Sequence, residues 1–354
     1  MTKKHIYFML PDLSAGGAER VTITIARLLH KEGFEVEFIN FGHPNGEMKS
    51  WIEPEFKMIS FGCNRVLGAI HKLYTFMKTH SDGMYFSSRE HVSIIGIFAS
   101  KLAEKSVVVR VPNMPSNVLV TGLAGLKMRA IKMLNKWLLK SAKMIIAQND
   151  EMRSQLLKYY DLPKSNVVTV NNPVDKAFVL ANAEGSQNPF KASEVNFLSV
   201  CNISYAKGID ILEQSWKKVK DSIPNAHMYI VGRTNSAYAQ DLMESAKGLS
   251  DFSFLGFQSN PYPYLKYCDV FVLPSRMEGF PNVVLEAMCF NKPIACTTCV
   301  DVLKKIIQFG TNGYYCNIED AEHLADCMIK ASQLRDVHHE YCLFDKEKIV
   351  EIFS

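Results

Sequence analysis

Apolar runs of four to seven residues recur along the whole chain, each followed by a segment with helical hydrophobic spacing, and this alternation leaves few folds open. A strand that feeds a helix and returns parallel to itself builds crossover units, so the pattern predicts parallel sheets covered by helices on both faces. In the first half, a strand over Ile6 to Leu10 leads through Ser14-Ala15-Gly16-Gly17 into an amphipathic segment, Ala18 to Lys31, which Gly33 stops. Further strands are predicted over Val36 to Phe41, Gly83 to Ser87, Val107 to Val111, Met144 to Gln148 and Val167 to Val170.

A polar, turn-rich stretch from Asn182 to Pro189 interrupts the pattern and reads as a linker. The alternation then restarts. Strands are predicted over Val195 to Val200, His227 to Val231, Phe252 to Leu255, Val270 to Leu273 and Pro293 to Cys296. Helices are predicted over Gly208 to Ser222, Ala237 to Lys247, Asn282 to Cys289, Ala321 to Leu334 and Lys346 to Phe353. At 354 residues the chain suits two domains of ~150 to 180 residues. The division read here is a first Rossmann-like domain over 1–180, a linker over 181–193, a second such domain over 194–335, and a C-terminal helix over 336–354 that returns to the first domain. Two doubly wound domains facing each other across a cleft are the simplest architecture, with ligands at the carboxyl ends of the strands.

Composition narrows the function. Hydrophobic residues make up 47% and charged residues 21%, which excludes a disordered or collagenous chain. No apolar run approaches the ~18 to 20 residues of a membrane-spanning helix. The start, Met1 to Leu10, carries two lysines and a short apolar run, but Pro11 and Asp12 end it where a signal peptide would continue. Nine irregularly spaced cysteines then fit a reducing, cytoplasmic setting with thiols as core residues. Cys296 and Cys299 are read in the same way, because no second pair follows to complete a zinc site. The ten histidines form no metal-ligand pattern, so neither metal nor other cofactor is expected.

Charge is asymmetric. Residues 1–180 carry 24 Lys and Arg against 15 Asp and Glu, a net of +9, and the remainder carries 16 against 21, a net of −5. The basic half calls for an anionic partner. Arg129, Lys132, Lys136, Lys140 and Lys143 recur at helical spacing within 123–143, opposite Ala130, Leu134, Trp137 and Leu138. Two readings stand together, a helix docked on its own sheet with a solvated lysine face and a surface that meets anionic lipid at the inner face of the cell membrane. Nucleic acid is not expected, since no recognition module or aromatic platform accompanies the charge.

The most informative stretch runs from Leu273 through Pro274-Ser275-Arg276-Met277-Glu278-Gly279-Phe280-Pro281-Asn282-Val283-Val284-Leu285-Glu286 to Met288. A buried strand ends, a Gly- and Pro-containing turn follows, and a helix opens near Asn282, read as its N-cap. The first turn of that helix offers unpaired amides and the positive end of a dipole, a seat for phosphate. Glu278 and Glu286 bracket the seat, one placed for a ribose and the other for a sugar ring.

Glu278 and Glu286 with Gly-Phe-Pro-Asn-Val-Val-Leu between them, after a strand and Pro-Ser, make the sequence similar to glycosyltransferase family 4, retaining enzymes of the GT-B fold. The resemblance extends over nearly the whole chain. Gly16-Gly17-Ala18-Glu19-Arg20 resembles the family's N-terminal glycine loop, Asn171-Asn172-Pro173-Val174-Asp175 its interdomain segment, and Ser199 to Gly208 the turn that opens its second domain. It implies transfer of a hexose or N-acetylhexosamine from a nucleotide diphosphate sugar, expected to be a UDP-sugar, to a glycan or lipid-linked oligosaccharide in surface polysaccharide synthesis. By position, Glu278 meets the transferred sugar and Glu286 the ribose. Backbone of Gly279, Phe280, Pro281, Asn282 and Val283 holds sugar and phosphate. Lys207 neutralises the leaving diphosphate, with Gly17, Asn202 and Arg233 also on the donor. Gly16, Arg110 and Asn113 fall to the acceptor.

This chain departs from the family in three places. Cys201-Asn202 stands where relatives have Gly-Arg, so one cation on the diphosphate is missing, and Arg233 or Arg276 is a candidate to replace it. Near Val107 to Asn113 many relatives carry a histidine, whereas here Arg110 and Asn113 are at hand and His91 is farther away. Cys299-Val300-Asp301 replaces a glycine pair. A sugar-nucleotide epimerase of similar shape and an inactive nucleotide-sugar binder are the alternative functions.

Overall fold

The computed structural model describes residues 4–80, 83–115 and 133–354. They divide into two compact units, one of residues 1–173 with 342–354 and the other of residues 174–341. The first unit holds a sheet of seven parallel strands in the order β3-β2-β1-β4-β5-β6-β7. These are β1 His5–Leu10, β2 Glu35–Asn40, β3 Lys57–Ser60, β4 Gly83–Ser87, β5 Val107–Arg110, β6 Met144–Ala147 and β7 Val167–Thr169. The second unit has six parallel strands in the order β10-β9-β8-β11-β12-β13. Here β8 is Val195–Val200, β9 Ala226–Val231, β10 Phe252–Gly256, β11 Val270–Leu273, β12 Ile294–Thr297 and β13 Gly313–Cys316.

Continuous apolar runs are what let a parallel strand lie buried on both faces. All six residues of β9 and all four of β11 are buried. In the first sheet, Tyr7 and Met9 of β1 join one core while Ile6, Phe8 and Leu10 join the other, the period-two alternation of a strand sandwiched between helices. The Gly17–Lys31 helix has Glu19 in its first turn and Lys31 in its last, each sign matched to the helix dipole. Gly33, at φ +92°, takes the chain out of it.

The boundary between the units falls at Pro173, earlier than the linker read from sequence over 181–193. That stretch is held inside the second unit, because its carbonyls accept hydrogen bonds. Asn260 Nδ2 donates to Asn182 O at 2.7 Å, Lys266 Nζ to Ala183 O at 3.1 Å and Tyr267 OH to Ser186 O at 2.6 Å. The Lys346–Phe353 helix belongs to the first unit. Ile349 and Phe353 are fully buried there, each worth about 1.5 to 3 kcal/mol, and Lys346 pairs with Glu32 at 2.5 Å.

Each sheet reverses its winding once, between β1 and β4 in the first and between β8 and β11 in the second. Loops leaving the carboxyl ends of the two strands at such a switch point diverge and open a ligand crevice. The loops after β8 and β11 are the ones that carry Lys207 and Glu278.

Part of the basic segment 123–143, including Arg129, Ala130 and Lys132, lies outside the described residues. Over 133–143, Leu138 is buried as read, but Leu134 and Trp137 are exposed, and Asn135, Leu139 and Ala142 are buried in their place. The face that docks is rotated from the one read from sequence, since Asn135 turns inward to donate to Glu90.

Candidate active site

In the second unit the loop after β8 folds into a 3-10 turn, Tyr205–Lys207, and Gly208 follows at φ +63°. No other residue fits there. A Cβ on Gly208 would lie 2.0 Å from Pro274 O, so this glycine lets the β8 loop lie directly on the strand-end Pro274. That contact brings Lys207 to Glu278, with Nζ 2.7 Å from Oε1. Ser275 Oγ donates to the same oxygen at 2.8 Å and fixes the carboxylate. Burial favours the neutral amine of Lys207, but Glu278 outweighs it and raises the lysine pKa, leaving a firm cation at neutral pH.

The helix the sequence places here runs Asn282–Cys289. Pro281, not Asn282, takes the cap position, and it has no side-chain acceptor to offer the first turn. Asn282 N–H instead donates to Phe280 O and Val284 N–H to Pro281 O, both at 3.0 Å. Pro281 has no N–H to give a phosphate, and the Phe280 ring is buried, so both serve by shaping the loop. Gly279 and Glu286 are buried beside it, and Val283 is half-buried.

Arg276 does not replace the missing cation. Its guanidinium donates to both Asp210 oxygens at 2.7 and 2.6 Å, to Glu319 at 2.5 and 3.0 Å and to Tyr205 O at 2.8 Å, and it stacks on the Tyr205 ring. Arg233 lies elsewhere. Gly232 packs so closely on the β8 loop that a Cβ would sit 1.7 Å from Cys201 O, which places Arg233 one residue from the Cys201-Asn202 backbone. Its guanidinium lies over the Phe257 ring, 4.0 Å from the centroid, and Asn202 is exposed. Cys201 and Cys299 are thiols near Lys207 and Glu278, both pushed up to about 12 by burial, so neither is a nucleophile at neutral pH.

The first unit repeats the arrangement with charges exchanged. Across its switch point Arg89 Nε and Nη2 hold Glu19 Oε1 and Oε2 at 2.5 and 2.8 Å, and Glu19 is 1% exposed. Gly16 is the N-cap of the Gly17–Lys31 helix, and a Cβ on it would meet Glu19 Oε2 at 2.4 Å. Gly16 thus leaves the space that the Glu19 carboxylate occupies in this ion pair. Spacing alone did not reveal the pair, because its members are 70 residues apart.

Arg110 ends β5 and is 2% exposed. Its Nε and Nη2 donate to Asn172 Oδ1 at 3.2 and 2.6 Å, while Nη1 is buried with no hydrogen-bond partner. Burial pulls the guanidinium down to about 9, opposed by Glu19. Asn172 in turn donates to Gln148 Oε1 at 2.9 Å, which ties the Asn171-Asn172 segment to the end of β6. Arg110 and Asn113 line one cavity of about 40 Å³ with Glu90, Asn135 and Tyr160. That space exceeds the ~10 to 15 Å³ one water needs. Gly16 is not among its lining residues.

Comparison with known proteins fits this geometry. Residues 15–178 match the family described as Glycosyltransferase Family 4, and residues 194–333 match Glycosyl transferases group 1. An uncharacterized glycosyltransferase of Haemophilus influenzae is 25% identical over 341 residues, covering 94% of this chain and 92% of that relative. One from Methanocaldococcus jannaschii is 28% identical over 269 residues, 64% of this chain and 66% of its own length. The UDP-Gal:alpha-D-GlcNAc-diphosphoundecaprenol alpha-1,3-galactosyltransferase of Escherichia coli is 21% identical, covering 98% of this chain and 92% of that enzyme. Among solved structures, Anabaena HepE in complex with UDP and glucose superposes with a TM-score of 0.79 at 18% identity, over 98% of this chain and 97% of that one. Two parallel Rossmann-like sheets joined in one chain, with glycosyltransferase family matches over both, make this a glycosyltransferase of the GT-B fold. The chain belongs to glycosyltransferase family 4.

Proposed function

We propose that this enzyme transfers a hexose or N-acetylhexosamine, with retention and without a metal, from a UDP-sugar to a glycan or lipid-linked oligosaccharide in surface polysaccharide synthesis. The observation that carries the reading is the Lys207–Glu278 pair at the switch point of the second sheet, beside the start of the Asn282–Cys289 helix. A leaving diphosphate gains negative charge as the glycosidic bond breaks, and a fixed ammonium and helix dipole stabilise that charge without reorganising. Glu278 then meets the transferred sugar and Glu286 the ribose. The acceptor hydroxyl attacks from the face the diphosphate leaves, and a phosphate oxygen takes its proton, so no separate base is needed.

The Escherichia coli relative is named for a UDP-galactose donor and a diphosphoundecaprenol acceptor, which supports a UDP-sugar and a lipid-linked glycan here. In the first unit the unpartnered Nη1 of Arg110, with Asn113 on the same cavity, suits an acceptor group rich in oxygens. Exposed Met133, Leu134 and Trp137 beside Lys136, Lys140 and Lys143 support contact with an anionic membrane. Lys136 and Lys140 each lie within 4 Å of Asp161, which tempers their charge. No described helix is long and apolar enough to cross a membrane. Flotation with anionic liposomes at low salt tests that part, and a protein that stays unbound removes it.

The decisive assay incubates the protein with a panel of nucleotide sugars, with and without candidate acceptors. Sugar transfer or donor hydrolysis supports the proposal. Epimer formation without acceptor indicates an epimerase, and binding without turnover indicates an inactive binder.

A further inference from the structure

Three donor atoms meet at the amino ends of three adjacent strands, the opposite end of the second sheet from Lys207 and Glu278. Glu194 immediately precedes β8, His227 is the second residue of β9, and Asp251 immediately precedes β10. Strand register forces the meeting, since Val195 pairs with Ala226 and Phe252 with Met228. One nitrogen of His227 and one oxygen from each carboxylate all lie within 4.8 Å of one another.

His227 is 8% exposed, and its two nitrogens differ. Nε2 bonds Ser253 Oγ at 2.8 Å. Nδ1 is buried and has no well-aligned hydrogen-bond partner, and it faces Glu194 Oε2 at 3.1 Å and Asp251 Oδ1 at 3.9 Å. In the tautomer whose Nε2 carries the proton and donates to Ser253, the Nδ1 lone pair faces both carboxylates, and a cation between them turns that repulsion into attraction.

We propose that Glu194, His227 and Asp251 bind a divalent transition-metal ion of the zinc class, which clips the starts of β8, β9 and β10 together. Imidazole with two carboxylates suits such an ion better than magnesium, which prefers an all-oxygen octahedron. Two ligands at ~2.0 to 2.1 Å from a tetrahedral ion stand ~3.3 Å apart, close to the spacing of Nδ1 and Oε2. Supporting contacts orient each ligand. Ser253 holds the far nitrogen of the imidazole, Tyr229 OH donates to Glu194 Oε2 at 3.1 Å, and Lys191 holds Glu194 Oε1 at 3.1 Å. Lys220 holds Asp251 Oδ2 at 2.6 Å, leaving Oδ1 for the ion. Both ammoniums repel a cation, so the site is expected to be weaker than a closed structural zinc site. The three residues are far apart in sequence and are brought together only by strand register.

Equilibrium dialysis of the full chain, stripped with chelator, against Zn²⁺ or Co²⁺ tests the site. One equivalent is expected to be retained, to vanish in His227→Ala and to bind at least tenfold more weakly in Glu194→Gln, a near-isosteric change that keeps the fold. Bound Co²⁺ should show visible ligand-field bands without thiolate charge transfer, which separates this site from the nine free cysteines. Zn²⁺ should raise the melting temperature of the wild type and not of His227→Ala. No retained metal, undiminished retention in both variants, or a thiolate band would overturn the proposal. UDP binding to the stripped protein is expected to be unchanged, so the outcome is independent of the transferase assignment.

Discussion

Lys207 Nζ lies 2.7 Å from Glu278 Oε1, and the pair joins the loops that leave the two strands on either side of the second sheet's winding reversal. Gly208, whose hydrogen in place of a side chain lets the β8 loop rest on Pro274, sets Lys207 beside Glu278. The ammonium is thus held by protein before substrate arrives and can stabilise the departing diphosphate without a search for its position.

Replacing Lys207 with alanine is expected to reduce transfer by about 10² to 10³, the range for loss of one preorganised charge-stabilising donor. Glu286→Ala should fall comparably. Far-UV circular dichroism should match the wild type in both, and wild-type rates in both would refute the assignment.

The two arginines near the site separate into different roles. Arg233→Ala is expected to weaken UDP binding about tenfold, the role read for it from sequence, with only a small fall in melting temperature from the lost Phe257 stack. Arg276→Ala should destabilise the fold by about 2 kcal/mol, since it strips a buried guanidinium from Asp210 and Glu319, both partly solvated. Urea unfolding together with UDP titration distinguishes the two, and a stability loss confined to Arg233→Ala would reverse the roles.

Stability should weaken in acid through the same network. Burial favours the neutral form of Asp210, but hydrogen bonds from Arg276 and Tyr238 outweigh it and hold the carboxyl below its usual range. Arg276 does the same for Glu319. Depressed folded values mean that the contribution is fully present above the unfolded pKa values of ~3.9 and ~4.3 and is lost as pH falls through the lower folded ones. The urea midpoint should drop as pH falls below about 4, and the drop should be smaller in Arg276→Met.

Gly208→Ala is expected to destabilise by about 2 kcal/mol or more, because alanine at positive φ is strained and its Cβ would strike backbone at Pro274. Transfer should fall with it, since the β8 loop carries Lys207. Unchanged stability in thermal melts would contradict the close packing described for this turn.

Much of this was legible in the chain itself. Strands β4, β8 and β11 and the Asn282–Cys289 and Lys346–Phe353 helices lie where apolar runs and helical spacing place them, β11 most clearly because burial on both faces suits its unbroken Val-Phe-Val-Leu. The edge strands β3 and β13 were not seen, since Lys57-Met58-Ile59-Ser60 and Gly313-Tyr314-Tyr315-Cys316 are short and incompletely buried. Lys207 and Glu278 were singled out from their motifs, but their contact was not, and neither was the Glu19–Arg89 pair behind Gly16. Pairs separated by 70 or more residues depend on strand order, which local periodicity does not encode.

A structure of the protein with UDP bound measures the diphosphate seat directly. The diphosphate should lie within hydrogen-bond reach of Lys207 Nζ and against the start of the Asn282–Cys289 helix, with the ribose hydroxyls on Glu286. Nucleotide bound elsewhere, with the Lys207–Glu278 pair untouched and no phosphate oxygen near it, would contradict the central claim.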